Sequence, residues 1–280
     1  MVLFMKKLAE KNTILFGVVS TIAIFALFAL FEIIGYNLFA SSFTLPQGLL
    51  LDSAIRVLFF IPTIFLLECI TKCNGFKFAF SAKGFIRGIL AGIPLLLVIF
   101  TIIILFFNIA EIYKEYIPEI PARILQQFTT GLFEESLFRG LLITGLIIKM
   151  GDTVKGRIIA LFISALPFGL FHMLNMFAGE EVLDALIHGL VVILPGLGFA
   201  AVYIYSKNLL SCMFLHVIYD IAIHLKDGLI AEVTNETLLQ ITELSVNILL
   251  LAIIPLFAII FTIKAKPFDI AEAPKAPQQE

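Results

Sequence analysis

The sequence predicts an all-α membrane protein, a bundle of about eight transmembrane helices with both termini in the cytoplasm. Three observations predict this class. Of the 280 residues, 60% are hydrophobic and only 14% are charged, and the mean hydropathy is +1.06. A soluble domain carries about 25% charged residues. The other two observations are the long apolar segments and the unequal distribution of Lys and Arg among the loops that join them.

The apolar segments are long enough to cross a bilayer, for which a helix needs about 20 residues. They must be helices because an open backbone cannot face lipid. The eight predicted spans cover approximately residues 13–36, 54–71, 86–110, 121–149, 157–176, 183–205, 208–225 and 240–263. With a cytoplasmic N-terminus, inner loops hold 14 of the 19 Lys and Arg residues, and outer loops hold only Lys114, Arg123 and Lys226. The positive-inside rule therefore favours this orientation and supports the count of eight.

The chain is predicted to form one transmembrane domain over residues 1–265, with a motif-bearing core at about 120–225. Residues 266–280 are rich in Pro and charge, which is typical of a disordered tail. The first apolar run follows Lys6, Lys7 and Lys11 and lacks a small-residue cleavage site, so it is predicted to be a retained span. The odd number of cysteines, three, argues against a disulfide framework. No basic stripe indicates a nucleic-acid partner.

Ionisable side chains lie inside three of the predicted spans, where they are costly and by default indicate function. They are Glu134, Glu135 and Arg139 in the fourth span, His172 in the fifth, and His216, Asp220 and His224 in the seventh. Helical spacing puts Glu135 and Arg139 on one face as a pair and turns Glu134 about 100° away, toward the bundle interior. The helical rise places Glu134, His172, His216 and Asp220 in an overlapping slab of the membrane.

These groups have the chemistry of amide hydrolysis. A buried carboxylate such as Glu134 can act as the general base that activates water, and a His with an adjacent polar side chain can stabilise an oxyanion. Ser136 and Cys212 are the only nearby nucleophiles, and neither lies convincingly beside a His, so a covalent mechanism is disfavoured. A zinc ion held by Glu134, His172 and His216 is a further alternative, although the helical zinc motif H-E-x-x-H is absent.

The three motifs, taken in order, resemble the group that contains the CAAX prenyl endopeptidases and the bacterial abortive-infection or bacteriocin-processing membrane proteases. The pattern of that group is E-E-x-x-x-R, F-x-x-x-H and H-x-x-x-N/D. In this chain it reads Glu134-Glu135 with Arg139, Phe168 with His172, and His216 with Asp220. Each motif lies within a predicted span, and the resemblance covers about residues 120–225.

The resemblance implies an intramembrane endopeptidase. Glu134 would activate water, His172 would position the water or the substrate, and His216 and Asp220 would form the oxyanion site. Asp220 stands where many members have Asn, so it either donates a hydrogen bond when protonated or orients His216. Supporting roles fall to Glu135, Arg139 and Phe168.

The implied partners are a peptide or lipidated-peptide substrate and the surrounding membrane lipid, with no cofactor in the favoured, metal-free mechanism. The expected location is a bacterial plasma membrane. A non-catalytic scaffold or bacteriocin self-immunity protein of the same fold is the alternative function. A proton-coupled transporter is a third, disfavoured because no internal repeat is visible. Two further features are predicted to be structural, namely His188 within the sixth span and Glu180 in the solvated loop before it.

Overall fold

The computed structural model describes residues 7, 11–39, 42–112, 114–233 and 235–267. Its first half consists of helices α1 Thr13–Phe39, α2 Leu45–Thr71, α3 Gly75–Ala79, α4 Phe85–Ala91 and α5 Ile93–Ile109. A short strand β1, Ala110–Ile112, follows and pairs antiparallel with β2, Ile230–Val233. Apart from this pair and the connecting turns the described chain is helical, as the predicted all-α class requires.

The second half carries the three motifs. One uninterrupted helix runs from Ile120 to Met150 and changes its winding on the way. Its parts are α6 Ile120–Glu135, a π-helical segment Ser136–Ile143 and α7 Thr144–Met150. The remaining elements are α8 Val154–His172, a 3₁₀ turn Met173–Ala178, α9 Val182–Ser206, α10 Leu209–Leu229, α11 Glu236–Ile248, a π-helical segment Leu249–Ile253 and α12 Ile254–Lys264.

Several helices are long and apolar enough to cross a membrane, as a multi-pass integral membrane protein requires. Within the described residues five qualify, namely Leu15–Gly35, Leu45–Thr71, Val154–Phe177, Val182–Ser206 and Thr237–Lys264, and a bent pair would make a sixth. The apolar part of α10, Leu209–His224, is shorter. The helix from Ile120 to Met150 is not among them because it carries Glu134, Glu135 and Arg139. The count of eight and the cytoplasmic side of the termini stay predictions.

Two helices differ from the predicted spans for local reasons. Helix α2 begins at Leu45, well before the predicted residue 54, because the Thr44 N–H donates to Gln47 Oε1 at 2.9 Å in a capping box. The predicted span 86–110 is broken instead of straight, since α4 and the apolar part of α5 meet at 63° around Gly92. Pro94 explains the break, because it has no N–H to bond the preceding turn.

The motif helix lies at the centre of the bundle. Its π-helical segment is buried along its whole length, with Leu137, Leu141 and Ile143 at 0% exposure. It is enclosed by α1, α2, α8 and α10, and α1 also turns large apolar residues such as Leu15, Val19 and Ile22 outward. The division into one domain and a disordered tail stays a prediction, and residues 268–280 of that tail lie outside the described residues.

Candidate active site

Helices α6 and α10 cross at a glycine, which brings the first and third motifs together. A Cβ atom at Gly131 would lie 2.7 Å from Val217 Cγ2 and 3.2 Å from the Met213 carbonyl oxygen. Small residues allow this close approach between membrane helices. Glu134 and Glu135 lie one turn beyond Gly131, so the crossing places both carboxylates against α10.

His216 is the meeting point of three carboxylates. Its Nδ1 is 2.7 Å from Glu135 Oε1, and its Nε2 is 3.2 Å from Asp220 Oδ2 and 3.8 Å from Glu134 Oε2. The ring is buried and stacks on Phe199, with centroids 4.7 Å apart. Carboxylates at both ring nitrogens fit an imidazolium that donates from Nδ1 to Glu135 and from Nε2 to Asp220.

Arg139 joins this cluster to two other helices. Its Nη1 donates to Glu135 Oε1 at 2.9 Å, so the predicted pair is present and both side chains are fully buried. Its Nη2 donates to the Gly196 carbonyl oxygen of α9 at 2.9 Å, and its guanidinium lies over the Phe168 ring at 4.6 Å. Glu135 thus accepts from both Arg139 and His216, a link that sequence spacing alone did not predict.

The π-helical segment begins directly after the two glutamates. Its wider winding is rare in proteins and is found frequently at functional sites. Thr144 closes the segment, because its Oγ1 contacts the Arg139 carbonyl oxygen at 3.4 Å, five residues back, and the Tyr203 hydroxyl at 2.6 Å. The spacing argument assumed α geometry throughout, and no residue type in SLFRGLLI signals the change.

His172 enters the cluster from the last turn of α8. Its Nδ1 is 2.8 Å from the Phe168 carbonyl oxygen. When Nδ1–H donates there, Nε2 is left as an acceptor. Glu134, Asp220 and His188 are its electrostatic neighbours. The four predicted catalytic residues therefore meet in one place, contributed by three helices.

The segment that contains all three motifs matches a known protein family. Residues 116–222 match the family model described as type II CAAX prenyl endopeptidase Rce1-like. This match confirms the resemblance predicted from the motifs. No curated protein and no solved structure matches the chain. The Rce1-like match supports a membrane-embedded peptide hydrolase.

The two candidate nucleophiles of the Rce1-like segment are engaged elsewhere. Ser136 Oγ donates to the Leu132 carbonyl oxygen at 2.7 Å, and Cys212 Sγ lies 3.5 Å from the Asn208 carbonyl oxygen. By contrast, Glu134 Oε2 is buried and accepts no hydrogen bond from the described residues. Among these side chains, the carboxylate of Glu134 has the free acceptor that a water molecule needs. His224, at the far end of the stripe on α10, is exposed.

The predicted zinc ligands, Glu134, His172 and His216, do not have the arrangement that a metal ion needs. Within the described ranges no group of three or more His, Cys, Asp or Glu side chains could hold one. A metal would use the Nε2 atoms of the two histidines, because both Nδ1 atoms have other partners. The Nε2 of His216 already lies 3.2 Å from Asp220 Oδ2. Among the described residues these three side chains thus form no zinc site, and the metal-free mechanism stays a prediction.

Proposed function

We propose that this chain is an intramembrane endopeptidase that hydrolyses a peptide bond with a water molecule activated by Glu134. The observation that carries the proposal is the buried Oε2 atom of Glu134, which lies 3.8 Å from His216 Nε2 and accepts no hydrogen bond from the described residues. A buried acceptor of this kind suits a general base better than a structural ion pair. The Rce1-like match supports the same reaction class.

In the proposed reaction Glu134 takes a proton from water while the water oxygen bonds to the carbonyl carbon of the peptide. His172 Nε2 accepts the second water hydrogen and so orients the nucleophile. The carbon–nitrogen bond then breaks, and the proton on Glu134 passes to the leaving nitrogen. The products are a carboxylic acid and an amine.

The charges of the cluster suit this reaction. Glu134, Glu135 and Asp220 are opposed by Arg139 and an imidazolium at His216, which leaves one net negative charge. When Glu134 takes the proton, that charge moves to the carbonyl oxygen and the total is unchanged. A site arranged in advance for the transition-state charge lowers the barrier. The imidazolium of His216 forms the oxyanion site, because its Nε2–H is shared between Asp220 Oδ2, which fixes the ring, and the carbonyl oxygen of the peptide.

The proposed substrate is a peptide or lipidated peptide that reaches the cluster from the surrounding membrane, in a bacterial plasma membrane. The alternative is a scaffold or self-immunity protein that keeps the fold without using the cluster. The two functions differ in one respect that can be measured. An endopeptidase needs the ionised carboxylate of Glu134, whereas a scaffold tolerates the isosteric amide.

The test compares wild type with Glu134→Gln at equal expression in a host that lacks the protein. Peptide fragments and protein termini from the membranes are identified by mass spectrometry. We expect a set of termini that is absent from Glu134→Gln and is produced by both wild type and Glu243→Gln, a change at an exposed carboxylate on α11. Retention of the set by Glu134→Gln rules out the proposed base. Identical termini in all three strains and in an empty-vector strain favour the scaffold.

A second measurement addresses metal dependence. Cleavage by the purified protein is followed before and after prolonged exposure to a zinc chelator. We expect the rate to be unchanged, because the proposed mechanism uses only side chains. Loss of activity that added zinc restores would contradict it.

A further inference from the structure

His188 and Glu180 lie outside the three motifs, and we propose that they form a positioning pair for His172. The inference rests on the proposed hydrolysis and assigns to it two residues that the motifs do not contain. The His188 ring centroid is 5.4 Å from that of His172, with the ring planes at 67°. On its other side, His188 Nδ1 lies 3.4 Å from Glu180 Oε1. The order of contacts is therefore Glu180, His188, His172.

The backbones of α8 and α9 approach each other closely beside the two histidines, and this approach sets their arrangement. A Cβ atom at Gly169 would lie 2.4 Å from the Gly189 carbonyl oxygen, and one at Gly189 would lie 2.7 Å from the Gly169 carbonyl oxygen. His172 is three residues beyond the first glycine, and His188 directly precedes the second. The helix crossing thus brings the two rings within contact distance.

His172 needs such support because its own hydrogen bond leaves it free to tilt. The contact from Nδ1 to the Phe168 carbonyl oxygen holds one edge of the ring. The Phe168 ring, with its centroid 4.9 Å away, packs against it on one side, and His188 packs against it on another. Together they hold the ring beside Glu134 and Asp220, its electrostatic neighbours. A tilt of this ring would misplace the attacking water, and small misplacements cost rate.

The pair of His188 and Glu180 also includes a carboxylate, which simple packing against His172 would not need. His188 and Glu180 are both partly exposed, with side chains at 42% and 30%. A residue that only filled space beside His172 would need no carboxylate. The contact of Glu180 with Nδ1 favours a proton on that nitrogen of His188 and restricts the rotation of its ring. His188 is therefore a positioning residue that acts through His172, and Glu180 acts through His188.

The test is a double-mutant cycle on the purified full-length protein with a peptide substrate found by the terminal mapping above. His188→Ala and Glu180→Ala are each expected to lower kcat about three- to tenfold, the size of one net hydrogen bond, and to leave KM within about twofold. The double variant should be no slower than His188→Ala, because residues that act through one contact are not additive. His224→Ala and Glu181→Ala, matched changes at exposed side chains, should retain wild-type kcat.

Wild-type kcat in both single variants, additive losses in the double variant, or a change in KM alone would each overturn the inference. If His188→Ala does not fold, Glu180→Ala decides, because Glu180 lies in the connection before α9 and not in the packed core. The proposed function is tested separately in the same assay by Glu134→Gln. Cleavage that is lost in Glu134→Gln but unchanged in the His188 and Glu180 variants removes only the positioning pair.

Discussion

Glu135 accepts hydrogen bonds from two groups that the sequence assigned to different roles. Arg139 Nη1 and His216 Nδ1 reach the same oxygen, at 2.9 and 2.7 Å. All three side chains are buried. The carboxylate thus neutralises Arg139 and fixes the ring of His216 at once. Glu135 therefore supports the fold and also orients a residue of the candidate site, and variants can separate these two roles.

Removing one charge of the pair should destabilise the fold. Glu135→Leu and Arg139→Met each leave a buried partner unpaired, which costs about 3–5 kcal/mol. The double variant should recover most of that loss, because an apolar pair can replace a buried ion pair. Cleavage by the double variant should nevertheless stay about a hundredfold or more below wild type, since His216 has lost the group that orients it.

The measurements are the midpoint of thermal unfolding in detergent and the cleavage rate of the same samples. If Glu135 both supports the fold and orients His216, the double variant regains its midpoint without regaining cleavage. Recovery of both midpoint and cleavage would mean that Glu135 serves the fold alone.

At the level of residues, the sequence predicted most of the cluster. Charged groups inside apolar helices are costly enough that Glu134, His172, His216 and Asp220 could be found without a structure. The contact between Glu135 and His216 could not, because it joins α6 to α10 and depends on their crossing. The contacts of His188 could not be predicted for the same reason, since its partners His172 and Glu180 lie outside its own helix.

Among the elements, two helix crossings govern the site. The α6–α10 crossing at Gly131 sets the distance from the glutamates to His216, and the α8–α9 crossing at Gly169 and Gly189 sets the distance from His172 to His188. At both crossings glycines allow the helix backbones to come close together. The pattern of apolar residues in the sequence does not show where such crossings occur. The break at Gly92 and the π-helical segment are further departures from straight α-helices that a count of apolar residues cannot predict.

A larger side chain at Gly131 should separate α6 from α10. Gly131→Val is expected to destabilise the protein by about 1–3 kcal/mol, as overpacking does, and to slow cleavage by moving the glutamates away from His216. The matched control is Gly48→Ala in α2, where an added Cβ meets nothing within 4 Å and where Ala favours a helix over Gly. Equal unfolding midpoints and equal rates for the two variants would contradict this account of the crossing.

For the molecule as a whole, the main prediction is its orientation in the membrane, which experiment can test. Helix α8 offers a direct test because its two ends differ in charge. Lys155 and Arg157 lie at its start, whereas Glu180, Glu181 and Asp184 follow its end. Positive charge is retained on the cytoplasmic side and acidic residues have little influence. The start of α8 should therefore face the cytoplasm.

Single cysteines placed at Lys155 and at Glu181 should report this orientation. Both positions are exposed, and the native Cys69, Cys73 and Cys212 are buried. A membrane-impermeant thiol reagent added to intact cells or spheroplasts should label Glu181→Cys and leave Lys155→Cys unmodified until the membrane is opened. The reverse pattern would invert the whole bundle, with Lys114, Arg123 and Lys226 then on the cytoplasmic side. Labelling of both from outside would mean that α8 does not cross the membrane. The predicted position of the site within the bilayer would then be wrong.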